Sequence, residues 1–243
     1  MKFIVTENFS ESSRVAARMF LKVIDKNPGA LLGCATGEST LGIYGELVKE
    51  HVEKGLDFSR TRTVNLDEYQ GLDRAHPRSF SFFMEKNFFS QVNIQSANCY
   101  LINGAGDGEE ELAAFNSFLE RNTIDALMLG LGSNGHIGFN EPDDVFVPHA
   151  RLVQLSDETR NANSRFFDNK DETPRYAFTM GMKDIVKARK IILIASGKSK
   201  AWAVKTLRGC HNADPHLPCS ILRLCSDAAV IVDKELYNMA AES

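Results

Sequence analysis

The chain has 243 residues and no apolar run near the roughly 20 needed for a membrane-spanning helix, so no membrane association is expected. Its first residues, Met1-Lys2-Phe3-Ile4-Val5, lack the anatomy of a signal peptide, since a charge follows at Glu7 and no long apolar region comes after it. Positive charge is not in excess: 28 Lys and Arg face 32 Asp and Glu, for a net charge of −4. That leaves no electrostatic footprint for nucleic acid. No cofactor is expected. The five cysteines are odd in number and form no Cys-x-x-Cys, which excludes a self-contained disulfide framework and favours free thiols in a cytoplasmic protein. Cys210-His211, His216 and Cys219 match no zinc spacing, and Pro215 and Pro218 mark a loop there, so no metal is expected. Repeats and low-complexity tracts are absent too.

What remains is a regular alternation of short apolar runs and amphipathic segments. Strands are expected at 2–6, 30–34, 62–66, 100–102, 125–131, 190–195 and 228–232. Helices are expected over 10–26, after Thr40, over 79–89, over 109–121, around 159–167 and after Lys200. Residues 143–190 have the least pattern, with a polar turn over 168–172, and are expected to hold a lid within 143–180. The alternation predicts a doubly wound, mostly parallel α/β sheet with helices on both faces (Rossmann-like), as a single domain over 1–243.

In such folds ligands bind beyond the carboxyl ends of the strands, and the chemistry-bearing residues gather there. The run Ala126 to Leu131 breaks into a loop with glycines at 130, 132, 135 and 138, which carries Asn134, His136, Asn140 and Glu141. Histidine both accepts and donates protons near neutrality, and a carboxylate nearby orients and stabilises its charged form. Read singly, a loop histidine is more often structural. Thr36, Gly37, Ser39 and Thr40 offer hydroxyls and backbone N–H groups to an anion, or else Ser39 or Thr40 is a plain helix cap; Glu38 counts against an anion. Asp67-Glu68-Tyr69 follows another strand, either as a functional pair of acids or as a solvated turn. Lys198 and Lys200 open a helix whose dipole they oppose, which an anion would justify, although lysine is commonly just exposed. The Phe-rich segment 80–89 reads as packing rather than as a binding surface. Together these residues suggest proton transfer on a small phosphorylated metabolite.

Four segments in order resemble the glucosamine-6-phosphate deaminase (glucosamine/galactosamine-6-phosphate isomerase) family. They are Asn65 to Leu72 followed by His76, Pro77 and Ser79; Asn134 to Pro142; Thr159 to Phe167; and Gly197 to Ala201. The resemblance implies an enzyme of amino sugar catabolism that turns glucosamine 6-phosphate into fructose 6-phosphate and ammonia. By position it implies His136 for ring opening, Glu141 and Asn134 as its partners, and Asp67 as the base between carbons 2 and 1. Thr36, Gly37, Ser39, Arg165 and Lys200 would hold the phosphate. The implied partner is a small amino sugar phosphate, and the assembly a monomer or homo-oligomer.

Three departures stand out. Asn134 replaces the aspartate of many members, and Glu38 stands in the phosphate loop, where the usual proline is missing. Where hexameric members hold an activating N-acetylglucosamine 6-phosphate with Ser, Arg and Lys, this chain has Asp144, Arg151 and Val153, and that activation is expected to be lost. The alternatives are a galactosamine-6-phosphate enzyme, kept open by Glu38, and a non-catalytic sugar-phosphate sensor.

Overall fold

The computed structural model describes residues 1–165, 167, 169 and 172–242, without the side chains of Ala162 and Glu242. The apolar runs become strands that are buried along most of their length. These are β2 (Leu31–Cys34), β6 (Ala126–Gly130), β9 (Ile191–Ala195) and β10 (Ala228–Asp233). A strand covered on both faces tolerates an unbroken apolar sequence, because neither side meets water. With β1 (Lys2–Thr6), β3 (Arg62–Asn65) and β5 (Cys99–Tyr100) they form a sheet in the order β1-β10-β9-β6-β2-β3-β5. Every neighbouring pair is parallel.

Helices α1 (Phe9–Lys26) and α2 (Glu38–Lys54) pack on each other, and α1 lies against β9 and β10. α1 buries Ala16, Ala17, Phe20 and Ile24 on one stripe, and its Asn8 cap accepts a hydrogen bond from the Glu11 N–H at 3.0 Å. The remaining helices are α3 (Phe80–Asn87), α4 (Gly108–Arg121), α5 (Asp157–Ser164), α6 (Met182–Lys187), α7 (Ala201–Gly209) and α8 (Lys234–Glu242). The α/β expectation for fold class holds. The helix α8 had no counterpart in the sequence reading.

A second sheet changes the picture. β4 (Asp67–Tyr69), β8 (Tyr176–Thr179) and β7 (Arg151–Gln154) form an antiparallel trio in the order β4-β8-β7. Asp67-Glu68-Tyr69 is therefore a buried strand and not a solvated turn. The Met180 N–H donates to the Leu66 carbonyl at 2.8 Å, which fastens this sheet to the end of β3. Residues 143–190, expected to be irregular, supply two of its strands together with α5 and α6. Of the polar turn expected over 168–172, Asp168, Lys170 and Asp171 lie outside the described residues, as does Phe166. Tyr69, Phe139, Leu155, Phe167 and Ala177 form a small core of their own around this trio.

The main sheet reverses its winding between β2 and β6. From β2 the chain proceeds outward through β3 and β5, then returns to β6 on the other side of β2 and continues outward to β9 and β10, with the N-terminal β1 at that edge. The connections leaving β2 and β6 therefore diverge, and a crevice opens at their carboxyl ends. No helix among the described residues is long and apolar enough to cross a membrane.

Candidate active site

That crevice is a cleft of about 580 Å³. Asp67, His136, Thr36, Gly37, Ser39, Arg165 and Lys200, all singled out in the sequence, line it together. Asn134 and Glu141 stand behind His136 and act on it through hydrogen bonds.

The histidine is fixed from one side. Asn134 Oδ1 accepts from His136 Nδ1 at 2.8 Å and from the His136 backbone N–H at 3.2 Å, and Glu141 Oε2 lies 3.3 Å from the same Nδ1. Two acceptors at Nδ1 place a proton there, which leaves Nε2 as the nitrogen able to exchange protons. Asn134 Nδ2 donates to Glu141 Oε2 at 2.6 Å, so the amide binds both members of the pair. Glu141 Oε1 accepts from the Thr159 hydroxyl, and from Ser156 Oγ at 3.3 Å. Burial alone would raise the Glu141 pKa, but the hydrogen bond and charge of His136, with Thr159 and Asn134, bring it down to about 2. Glu141 is thus a permanent anion facing an imidazole. The ring also lies flat against the backbone: a Cβ at Gly132 would fall 2.3 Å from His136 Nδ1.

Asp67 is the opposite case. It is 8% exposed and has no hydrogen-bond donor to its carboxylate among the described residues. Burial, and then the neighbouring Glu68 charge, push its pKa up to about 8. A carboxylate left without donors in a dry wall is a strong proton acceptor once it is ionised. Glu68 is spent differently: it accepts from the N–H groups of Tyr69, Phe80 and Ser81 and from Ser81 Oγ at 2.8–2.9 Å. Burial raises its pKa and these donors pull it back. Its work is to fix β4 to the start of α3, so only one of the adjacent acids faces the cleft.

The anion end is built from α2, the segment after α5, and the turn before α7. Gly37 occupies the N-cap of α2 with φ 100°, a conformation that favours glycine, and makes no side-chain cap bond. Ser39 and Thr40 lie inside the helix and Thr40 Oγ1 donates back to the Gly37 carbonyl at 2.8 Å, so neither is the cap that the sequence allowed. The helix dipole and its first N–H groups therefore face the cleft. Lys200 lines the same end, its pKa lowered by burial and then by the neighbouring Arg165 charge, against the opposing pull of Glu158. Two cations crowded together, next to a helix N-terminus, are arranged to receive a multiply charged anion.

A family model for the glucosamine-6-phosphate isomerases and 6-phosphogluconolactonases matches residues 9–231. The chain belongs to that family. One relative, named glucosamine-6-phosphate deaminase, from Thermoanaerobacter sp. (strain X514), is 44% identical over 242 residues, 98% of this chain and 95% of its own. Another of that name, from Clostridium perfringens (strain 13 / Type A), is 42% identical over 241 residues, 98% of this chain and 99% of its own. A solved structure of a monomeric glucosamine-6-phosphate deaminase superposes with a TM-score of 0.95 at 38% identity, covering 98% of this chain and 100% of that one. The 6-phosphogluconolactonase of Trypanosoma cruzi shares the fold, with a TM-score of 0.77 at 17% identity over 98% of this chain and 96% of its own.

Within this family architecture, several cleft residues were not foreseen. Phe80 and Phe83 line the cleft, so the aromatic segment is not packing alone. Ser156 caps α5 by accepting from the Thr159 N–H at 3.1 Å, and both hydroxyls also serve Glu141. A Ser placed three residues before a Thr at a helix start was a readable cap signal. Glu158 also lines the cleft and accepts from Ser133 Oγ at 3.0 Å.

Proposed function

We propose that this chain converts glucosamine 6-phosphate and water into fructose 6-phosphate and ammonia. The observation that carries the reading is the pairing in one cleft of a desolvated Asp67, with no donor to its carboxylate among the described residues, with an imidazole held by the Glu141 carboxylate. Its near relatives are named for this activity.

In this reading His136 Nε2 takes the proton from the hydroxyl on carbon 1 and returns one to the ring oxygen, so the pyranose opens to the aldehyde. Glu141 and Asn134 hold the ring and offset its transient charge. Asp67 removes the proton from carbon 2, giving an enolamine, and delivers one to carbon 1. The resulting iminium at carbon 2 adds water, its carbon–nitrogen bond breaks, and ammonia leaves. The ammonium of the incoming substrate lowers the Asp67 pKa and so ionises the base when it is needed. Arg165, Lys200 and the α2 N-terminus hold the phosphate, with Thr36, Gly37 and Ser39 around it. A lid within 143–180 carries Arg165 at the end of α5. The protein works as a cytoplasmic monomer, as the solved deaminase of TM-score 0.95 is monomeric.

The test is ammonia and ketose phosphate release from glucosamine 6-phosphate and from galactosamine 6-phosphate, with no metal added. Turnover of the first is expected. Turnover of only the second moves the reading to the galacto epimer, and silence on both replaces it with a sugar-phosphate sensor.

A further inference from the structure

A carboxylate stands among the groups arranged to receive an anion. Glu38, the first residue of α2, places Oε2 2.9 Å from an Nη2 of Arg165, across the mouth of the cleft. Both side chains line the main cleft and also a side lobe of about 400 Å³ floored by Ser196, Gly197 and Lys200. The pair therefore sits where the two spaces meet, with Lys200 beside it.

The Arg165 charge is offset by Glu38, a side chain of the same sign as the ligand. An entering phosphate meets an arginine already engaged and a carboxylate that repels it. To use Arg165 the ligand has to take the place of Glu38, whose side chain is more than half exposed and has room to swing into solvent. The contact also joins the start of α2 to the end of α5, so displacing Glu38 releases one tie between the cleft wall and the segment that carries Arg165.

We propose that Glu38 is the affinity-setting residue of the phosphate subsite: an internal competing anion that holds Arg165 until a phosphate group displaces it. The inference rests on the deaminase reading for the identity of the ligand, but not for the competition itself, which any phosphate group would feel. Its effect is to weaken the grip on free phosphate and on the phosphate end of substrate and product alike. Sugar contacts deeper in the cleft then have to supply the rest of the affinity.

The experiment is calorimetric titration of inorganic phosphate into the wild-type protein, Glu38→Gln and Glu38→Ser, repeated in an Arg165→Gln background and at raised salt. Loss of one exposed ion pair and of the accompanying repulsion is expected to tighten phosphate binding by about three- to tenfold. The gain should shrink as salt rises and vanish when Arg165 is replaced, and KM for glucosamine 6-phosphate should fall by a similar factor. Unchanged or weaker phosphate binding in both Glu38 variants, a gain that persists without Arg165, or no phosphate binding by any of the proteins would overturn the proposal. Tighter phosphate binding in a protein that releases no ammonia would keep the Glu38 inference and remove the deaminase reading instead.

Discussion

Replacing Asp67 with Asn is expected to abolish ammonia release and to make the protein more stable. Asp67 is nearly buried, accepts no hydrogen bond among the described residues, and has a pKa moved from 3.8 to about 8. Each unit of that shift corresponds to about 1.36 kcal/mol, so the ceiling is about 5–6 kcal/mol of destabilisation by the ionised form. The sign follows from proton counts. Below about pH 4 the side chain is protonated folded and unfolded, and wild type and variant should melt together. As pH rises from about 4 to about 8 the unfolded chain gives up the proton while the folded one keeps it, so wild-type stability declines relative to the variant. Above about pH 8 the difference is constant. For a chain of this size, 1 kcal/mol moves the melting temperature by about 2–4 °C, so the variant should melt up to about 10–20 °C higher near pH 9. Thermal unfolding of both proteins at intervals from about pH 4 to about pH 9 measures this. Equal melting temperatures at the alkaline end, or a variant that melts lower, would refute the claim that the fold holds this carboxylate in a desolvated state.

Four further outcomes are expected. The ascending limb of kcat/KM should lie near the free-enzyme pKa of Asp67, about 8, with that of kcat at lower pH, because the substrate ammonium stabilises the ionised base. Glu141→Gln should cut kcat by about 10–100-fold. Glu141 contributes stability above its ordinary pKa of 4.5 that is lost as pH falls toward about 2, so the variant should be less stable at neutrality and match wild type in strong acid. Gly132→Ala places a methyl 2.3 Å from His136 Nδ1 and should lower kcat by about 100-fold while the circular dichroism spectrum is retained. Saturation by glucosamine 6-phosphate should be hyperbolic with or without N-acetylglucosamine 6-phosphate, since Asp144 stands next to His216 at 3.4 Å and Arg151 donates to Asn140 Oδ1 at 2.9 Å; a sigmoidal curve straightened by the acetylated sugar would count against this.

The parallel sheet was legible because strands such as β9 and β10 are apolar along nearly their whole length and the helices between them carry a clear stripe. The trio β4-β8-β7 was not. Asp67-Glu68-Tyr69 has no apolar alternation in three residues, and Arg151–Gln154 is half exposed, so neither meets any periodic criterion. What makes Asp67 a strand residue is its pairing with Thr179, which lies more than 100 positions away. The same distance hides the difference between the two acids. Adjacent in sequence, Asp67 and Glu68 point to opposite sides of a strand, and only the fold supplies the donors that occupy Glu68. The cleft residues on loops were legible as residue types at strand ends, and the helix around Thr159 was legible too, whereas the contacts of Ser156 and Thr159 with Glu141 arise only once the chain is folded. Gly37 as cap was hidden because hydroxyl residues beside it were better candidates on propensity.

Thr179 has one more consequence. It is the register partner of Asp67, and its hydroxyl accepts the Phe139 N–H at 3.1 Å, while the Asn140 amide on the histidine loop donates to the Met180 carbonyl at 2.9 Å. The segment carrying the base and the loop carrying the imidazole are thus both indexed to one short piece of chain. A shift of Thr179 and Met180 would therefore displace the two reacting groups together rather than apart. Two catalytic parts made far apart in the sequence share a common datum, and the sheet that provides it is the one the sequence conceals.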